Sequence, residues 1–427
     1  MITSKLSTKF SDVVNPYGGH GTINGDQTDF EIGQRSDGSI VLCCDRRLNW
    51  SDNCLVAGVT CDRQKIHAQG FVKTVMGAYS DYAFKREHRD YFYRSVYEFG
   101  LSVGESDWSR VHTLVFDITN LVFLGNSNSS GGFWPFGDTL KVELEGIELT
   151  FKKLPDYEMV VDRLNDEGGT ATTCQLEIEI GSHNEHDVTR VVRNACSLLS
   201  LARGIQINWI TCRHFDDAGN NFFTLHRSTV TSSFQDFEVI ESTHLDATER
   251  FLIDTYPTFS AQNTQYKYSQ FAHVLVDIQS AGFLETRCLA LYTAVETLSR
   301  KVNNRKSING KRVTLKKRLY DFMVHHQVPV FVCSNGKCLD KSAKCMENCD
   351  IGFYVKCRNK LVHQSEFYSG NPKNEYKRNI NLFHKMLLRA LNYNYKYINW
   401  HDGWNMKGQS SEDLSKGPFM LSNPQTF

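Results

Sequence analysis

The segment KCRNKLVHQ, residues 356–364, has the pattern of the last turns of an amphipathic helix and carries three side chains suited to RNA chemistry. At about 100° per residue, Asn359 and His363 fall on one helical face, and Arg358 flanks that face. A histidine can move a proton near neutral pH, and an arginine can hold a phosphate through two parallel hydrogen bonds. These groups suffice, without a metal, to cut RNA through its own 2′-hydroxyl. The spacing alone also fits a surface arginine and a histidine at the negative end of a helix dipole.

The chain has 427 residues, a length that predicts about three domains. The composition also predicts a cytoplasmic protein. No apolar run approaches the ~18–20 residues of a membrane span, and residues 1–10 contain no apolar signal-peptide core. The 13 cysteines are scattered over the chain. Without an export signal, this distribution favours reduced thiols in a cytoplasm.

The charge is unevenly distributed although the formal net charge of the chain is zero. Residues 300–400 contain 21 Lys and Arg against 6 Asp and Glu, so this segment carries +15 and the remainder −15. Such asymmetry indicates an anionic partner for the C-terminal part, or docking of the basic part on its own acidic N-terminal part.

The hydrophobic pattern predicts an α+β multidomain protein. Residues 1–164 are strand-rich and include alternating apolar residues at 140–144 and 147–151 around a Glu145-Gly146 turn, which is typical of a β-hairpin. Residues 165–267 predict an α+β middle module, whose helix begins near Asp187 and ends at Gly204, followed by a linker at 255–268. We expect a β-rich N-terminal domain and a separate middle module.

Four apolar stripes predict helices in the remaining chain, which we assign to an all-α four-helix bundle over 268–404 with a polar, disordered tail at 405–427. The first stripe runs from Leu284 to Leu298. The other predicted helices cover residues 311–326, 350–364 and 374–398.

A basic run joins the first two predicted helices, with nine Lys and Arg and no acidic residue between Arg300 and Arg318. A run of this kind is usually a solvated surface. Because it belongs to the same predicted bundle as Arg358 and His363, we interpret it as a path that guides RNA phosphates to the site. The candidate RNA-binding residues are Arg305, Lys306, Lys311, Arg312, Lys316, Lys317 and Arg318.

Four cysteines lie in a polar insertion at 333–349, between the second and third predicted helices. Tetrahedral zinc coordination would explain four thiolates within 17 residues and would fix a segment with little core of its own. The spacing is not the usual pair of close pairs, so free thiols in a loop are the alternative. The candidate zinc ligands are Cys333, Cys338, Cys345 and Cys349.

The Arg-Asn-x3-His pattern at 358–363 resembles the motif of the HEPN ribonuclease domain, and FLETRCLALYTAVE at 283–296 is similar to the first helix of the ApeA-like branch of that family. The resemblance covers roughly residues 268–400. It implies a metal-independent endoribonuclease that acts as a homodimer or higher homo-oligomer, as a toxin in antiphage defence by abortive infection. The cysteine-bearing insertion departs from the minimal pattern.

Carried over to this chain, the resemblance implies that Arg358, Asn359 and His363 are the catalytic residues, with no cofactor for catalysis. The expected substrate is RNA, such as a tRNA, and a phage-derived trigger is an expected partner. One histidine supplies half of an acid–base pair, so His363 of a second subunit is expected to supply the other half. The alternatives are a non-catalytic RNA- or nucleotide-binding sensor and a zinc-stapled scaffold.

Overall fold

The computed structural model describes residues 12–45, 53–76, 91–95, 99–127, 137–228, 237–241, 246–302, 307–308, 311–333, 349–399, 411–415 and 419–421. The chain forms two compact units. One combines Met1–Cys196 with Gln206–Phe234, and the other combines Ser197–Ile205 with Gln235–Phe427. The fold class predicted from the sequence is wrong, because the described residues form neither a separate α+β middle module nor an all-α four-helix bundle.

The strands of the first unit belong to one antiparallel sheet. In chain order they are β1 Val13–Ile23, β2 Asp26–Arg35, β3 Ile40–Cys44, β4 Asn53–Thr60, β5 Lys65–Met76, β6 Tyr91–Ser95, β7 Gly100–Gly104, β8 Thr113–Thr119, β9 Thr139–Leu144, β10 Ile147–Lys153, β11 Thr172–Glu179, β12 Trp209–Phe215 and β13 Asn221–Arg227. Their order in the sheet is β4-β1-β2-β3-β6-β5-β7-β13-β12-β8-β11-β10-β9.

An additional pairing between β4 and β5 closes the first six strands into a barrel. Alternate residues point inward because side chains alternate across a strand. Phe30 and Ile32 on β2 and Leu42 on β3 are buried in the barrel core, and Cys44 and Cys54 are buried with them. The β-rich character predicted for the N-terminal region is therefore present, in the form of a barrel that continues into an open sheet.

The predicted middle module contributes strands to that same sheet. β8 pairs with β11 on one side and with β12 on the other. The buried Gln34 of β2 ties these strands to the barrel, since its Nε2 group donates to the carbonyls of Ile210 and Arg227, each at 3.0 Å. A strand leaves backbone groups unpaired at its edge until another strand pairs with it. The sequence pattern of a strand does not reveal which strand that is, so this shared sheet could not be predicted from the sequence.

Two predicted local elements of the first part of the chain match the structure. The hairpin at 139–153 consists of β9 and β10, with Glu145 and Gly146 both at positive φ in the turn. Besides α1 at Tyr157–Glu167, the chain forms helix α2 at Glu185–Arg203, which ends before Gly204 at φ +64°. The apolar face of α2 is buried along its length and consists of Val188, Val192, Ala195, Leu199 and Ala202.

The second unit is mainly helical but also contains short strands. Its helices are α3 Ala247–Tyr266, α4 Tyr268–Ser280, α5 Leu284–Ser299, α6 Leu315–His325, α7 Asp350–Gln364 and α8 Pro372–Ala390. Its strands are β14 Ser307–Ile308, β15 Lys311–Arg312, β16 Phe331–Cys333, β17 Lys396–Ile398, β18 Ser411–Asp413 and β19 Phe419–Leu421. Helix α5 lies at its centre and packs against α4, α6, α7 and α8.

Three differences from the predicted bundle follow from tertiary contacts. The expected linker at 255–268 lies in α3 and the start of α4, because buried Phe251, Tyr256 and Phe259 outweigh the helix-breaking tendency of Pro257. The last predicted helix ends at Ala390, and β17 follows it. Part of the expected disordered tail is ordered, since β18 pairs with β17 and β19 pairs in parallel with β16.

Within the described ranges, no helix combines the length and the apolar character that crossing a membrane requires.

Candidate functional site

Helix α7 positions the Arg-Asn-x3-His motif. The sulfur of Cys349 accepts the backbone N–H of Gly352 at 3.4 Å and caps the start of the helix. The helix ends where Ser365 adopts a left-handed conformation, with φ +57°. The sides of α7 that carry Tyr354 and Leu361 are buried, whereas Asn359 and His363 are exposed on one face, as the spacing predicts.

The guanidinium of Arg358 brings the three motif residues together. Its Nη1 group lies 3.2 Å from Nε2 of His363 and donates to Oδ1 of Asn359 at 3.3 Å. Its Nε–H donates to the carboxylate of Glu296 at 2.7 Å. Among the described residues, none accepts a hydrogen bond from Nη2. An arginine held in this way keeps one edge fixed and presents its other donors to a ligand.

Glu296 is a site residue that the sequence interpretation missed. It ends the segment 283–296 on α5, 62 residues before Arg358, and both side chains of the pair are about one-fifth to one-quarter exposed. Arg300, one turn further on, approaches the other carboxylate oxygen of Glu296 at 3.9 Å. The position of Glu296 on the polar side of a core-facing helix was the available signal, but its partner is set by the packing of α7 on α5.

The contact with Arg358 indicates which ring nitrogen of His363 is the acceptor in this arrangement. Arginine has only donors, so Nε2 of His363 must be the acceptor in the 3.2 Å contact. The proton of a neutral ring then resides on Nδ1. Nε2 is therefore the atom that can take up a proton once Arg358 turns to another acceptor.

Helix α8 holds the segment that follows His363. The fully buried Glu375 accepts the backbone N–H groups of Tyr368 and Ser369 at 2.9 and 3.0 Å and the hydroxyl of Tyr292 at 3.3 Å. At the other end of α7, Asp350 pairs with Arg378 of α8 at 2.9 Å. The start of the motif helix is thus held to α8 by an ion pair, and the segment that follows the helix is held by hydrogen bonds to the carboxylate of Glu375.

The predicted RNA-binding residues are only partly described. Lys316, Lys317 and Arg318 lie at the start of α6 and are half-buried. Lys317 forms an ion pair with Asp321 one turn further along. Lys311 and Arg312 belong to β15, for which the backbone alone is described, and Arg305 and Lys306 lie outside the described residues.

The predicted zinc ligands are not assembled within the described part of the chain. Cys338 and Cys345 lie outside it, and Cys333 is described only through its backbone in β16. Cys349 is buried and caps α7. Among described residues, no group of three or more His, Cys, Asp or Glu is arranged to hold a metal ion. Zinc binding therefore stays a prediction.

A second polar cluster lies in the first unit and lines a cavity of about 130 Å³. There Asp117 pairs with Arg213 at 2.6 Å, and burial raises the pKa of this carboxyl although Arg213 opposes the shift. His226 bonds with Tyr17 at 3.0 Å and with Gln34 at 3.0 Å. Because the members of this cluster bond mainly with one another, the cluster has the character of a structural network.

A family model described as the YopA central domain matches residues 106–236. This segment contains β8 to β13 together with α1 and α2, all outside the barrel. The residues of the Arg358 site are not in the matched segment. No curated protein and no solved structure matches the chain.

Proposed function

We propose that this protein is a metal-independent endoribonuclease of HEPN type whose site is formed by Arg358, Asn359 and His363. The observation that carries the proposal is the 3.2 Å contact between the guanidinium of Arg358 and Nε2 of His363, with Arg358 held by Glu296. The motif resemblance and the basic character of residues 300–400 support it.

In the proposed mechanism, a phosphate of the RNA displaces His363 and Asn359 from Nη1 of Arg358. The guanidinium then stabilises the charge that develops on the non-bridging oxygens as the 2′-hydroxyl attacks phosphorus. Release from Arg358 frees Nε2 of His363 to accept the proton of the attacking hydroxyl. Asn359, four residues before His363, orients the phosphate or the imidazole.

A second proton must reach the leaving 5′-oxygen, and one histidine does not supply both transfers. We propose that His363 of a second copy of the chain donates it across a two-fold axis. The exposure of Asn359 and His363 leaves this face accessible to RNA and to a partner copy. The proposed setting is an RNA-cleaving toxin of antiphage defence, with a tRNA among the candidate substrates and a phage-derived trigger.

The test is denaturing-gel analysis of RNA incubated with the purified protein in EDTA. Cleavage is expected to persist without divalent ions and to leave a 2′,3′-cyclic phosphate and a 5′-hydroxyl. A substrate with a 2′-deoxy nucleotide at the cut site should resist. His363→Ala and Arg358→Ala should lose cleavage while the neighbouring exposed variant Gln364→Ala retains it. RNA retention without any cleavage by the wild type would instead identify a binding module, and undiminished cleavage by His363→Ala would refute this site.

A further inference from the structure

A cavity of about 330 Å³ lies within the second unit, apart from the Arg358 site. It is bordered by one face of α8, by the first turn of α5 and by the end of α4. Apolar side chains, including Phe237, Leu284 and Ile380, make up much of its wall. Its volume is in the range of pockets that enclose small organic ligands.

The residues of α8 that line this cavity change from charged at one end to buried at the other. Lys373, Lys377, Ile380 and His384 follow one another at steps of four, three and four, so they share one face of the helix. Lys373 is exposed and Lys377 is half-buried, whereas Ile380 and His384 are buried. The cationic end is therefore the outer end of the cavity.

A third cation, Arg287 of α5, also lines the cavity, and no Asp or Glu does so among the described residues. Within the described part of the chain, none of the three cations forms an ion pair with a carboxylate, and the Nε–H of Arg287 donates to the carbonyl of Ala281. Three cations without a carboxylate partner in the described part of the chain line this apolar cavity and favour an anionic group over a neutral one.

The inner end of the cavity contains buried polar groups for which the described residues provide no partner. His384 is 1% exposed, and neither of its ring nitrogens has a hydrogen-bond partner among the described residues. The same holds for Oε1 of Gln279, a residue that is 2% exposed. Burial lowers the pKa of His384 to about 3, so the ring is neutral and offers one donor and one acceptor. Folded proteins rarely leave such groups unsatisfied, and a ligand with a polar inner end would satisfy them.

We propose that this cavity binds a small organic anion whose acidic group meets Arg287, Lys373 and Lys377, whose apolar body fills the cavity, and whose inner end hydrogen-bonds with His384 and Gln279. A carboxylate, a sulfonate or a phosphate ester meets the charge requirement equally. The proposal does not depend on RNA cleavage, because it concerns different residues and a binding equilibrium.

The experiment uses two probes of similar shape: the anionic 8-anilinonaphthalene-1-sulfonate and the neutral N-phenyl-1-naphthylamine. Fluorescence titration and calorimetry of the full chain should show one saturable site for the anionic probe. Lys377→Met combined with Arg287→Met should weaken the anionic probe about tenfold or more, the loss expected for a charged hydrogen bond, and should leave the neutral probe unchanged. Lys396→Met, which removes an exposed lysine of the same unit on β17, is the control and should change neither probe.

Ile380→Trp should fill the cavity and reduce binding of both probes. His384→Leu should raise the thermal midpoint of the ligand-free protein, because it removes unsatisfied polar atoms. Unfolding curves and near-ultraviolet circular dichroism verify the fold of each variant. Equal effects of Lys377→Met and Lys396→Met, or unchanged affinity in Ile380→Trp, would overturn the proposal and leave a cavity that holds water only.

Discussion

Nη1 of Arg358 lies 3.2 Å from Nε2 of His363, and the Nε–H on the same guanidinium donates to Glu296 at 2.7 Å. One edge of the arginine is thus held by a carboxylate from another helix, while its other edge contacts neighbours that a phosphate can replace. One edge of the guanidinium thus positions Arg358, and the other edge can contact a ligand. It makes Glu296 the residue through which the packing of α5 against α7 affects the site.

Replacing Glu296 should therefore lower the rate of RNA cleavage more than it weakens RNA binding. In Glu296→Ala the guanidinium loses its fixed edge, and kcat should fall about tenfold to a hundredfold, because misplacement by about 1 Å is enough for such a loss. Glu296→Gln keeps an acceptor but loses the charge, so its rate should lie in between. Glu285→Ala, an exposed position on the same helix, is the control. A wild-type kcat in Glu296→Ala would show that Arg358 needs no support.

Heterodimers test whether the site is shared between two chains. Light scattering first tests whether the chain forms the predicted dimer, and differently tagged chains then allow purification of a dimer with one wild-type and one His363→Ala subunit. If both histidines serve one composite centre, this heterodimer should be nearly as inactive as the His363→Ala homodimer. Half of the wild-type rate would mean that each subunit has an independent site.

Substitutions of Cys349 distinguish its capping role from zinc binding. Serine at this position would still accept the N–H of Gly352, because serine is a favoured N-cap residue, whereas alanine would not. If Cys349 only caps α7, Cys349→Ser should be tolerated and Cys349→Ala should cost about 1 kcal/mol of stability. If it ligates zinc, both variants should lose the metal.

Elemental analysis of the purified protein decides between these cases. The zinc prediction requires about one tightly held metal per chain in the wild type and its release in the Cys338→Ser/Cys345→Ser variant. Wild-type protein without zinc would end the prediction.

Neutralising the start of α6 should weaken RNA binding and reduce its salt dependence. Each lost phosphate contact should decrease the slope of log K against log salt by about 0.7 for single-stranded RNA. Lys316→Gln should have the larger effect, because Lys317 is already paired with Asp321. Filter-binding measurements over a salt series provide the test, with Lys396→Gln as the control. Identical slopes for Lys316→Gln and the control would mean that RNA contacts another surface of the protein.

The stability of the first unit should fall as the pH is lowered from about 6.5 towards 4. Burial, assisted by Arg213, lowers the pKa of His226 to about 4, whereas a histidine in the unfolded chain titrates near 6.5. Between these values the unfolded state binds the extra proton, so the stabilisation present above pH 6.5 is lost progressively, at roughly 1 kcal/mol per pH unit.

Urea unfolding between pH 7 and 4.5 measures this effect of His226. His226→Gln should be less stable at pH 7, since it disturbs the contacts with Tyr17 and Gln34, but its stability should depend less on pH. Parallel pH dependences of the variant and the wild type would show that His226 is protonated in the folded state as well.

Local patterns in the sequence determined individual elements. The 3.6-residue repeat located α2, α5, α6 and α7 and placed Asn359 and His363 on one exposed face. The two-residue alternation around Glu145-Gly146 located the β9–β10 hairpin. These predictions succeeded because the contacts that favour such elements form between residues a few positions apart.

Tertiary structure alone decided how these elements are joined. The closure of β4 on β5, the continuation of the sheet from the barrel into β8–β13, and the Glu296–Arg358 pair depend on which surfaces pack together. The stripe from Lys373 to His384 is visible in the sequence, but it becomes the wall of a cavity only when α5 and the end of α4 lie opposite it. A pattern within one segment records which face is buried; it does not record the partner, because that choice depends on the packing of residues far apart in the chain.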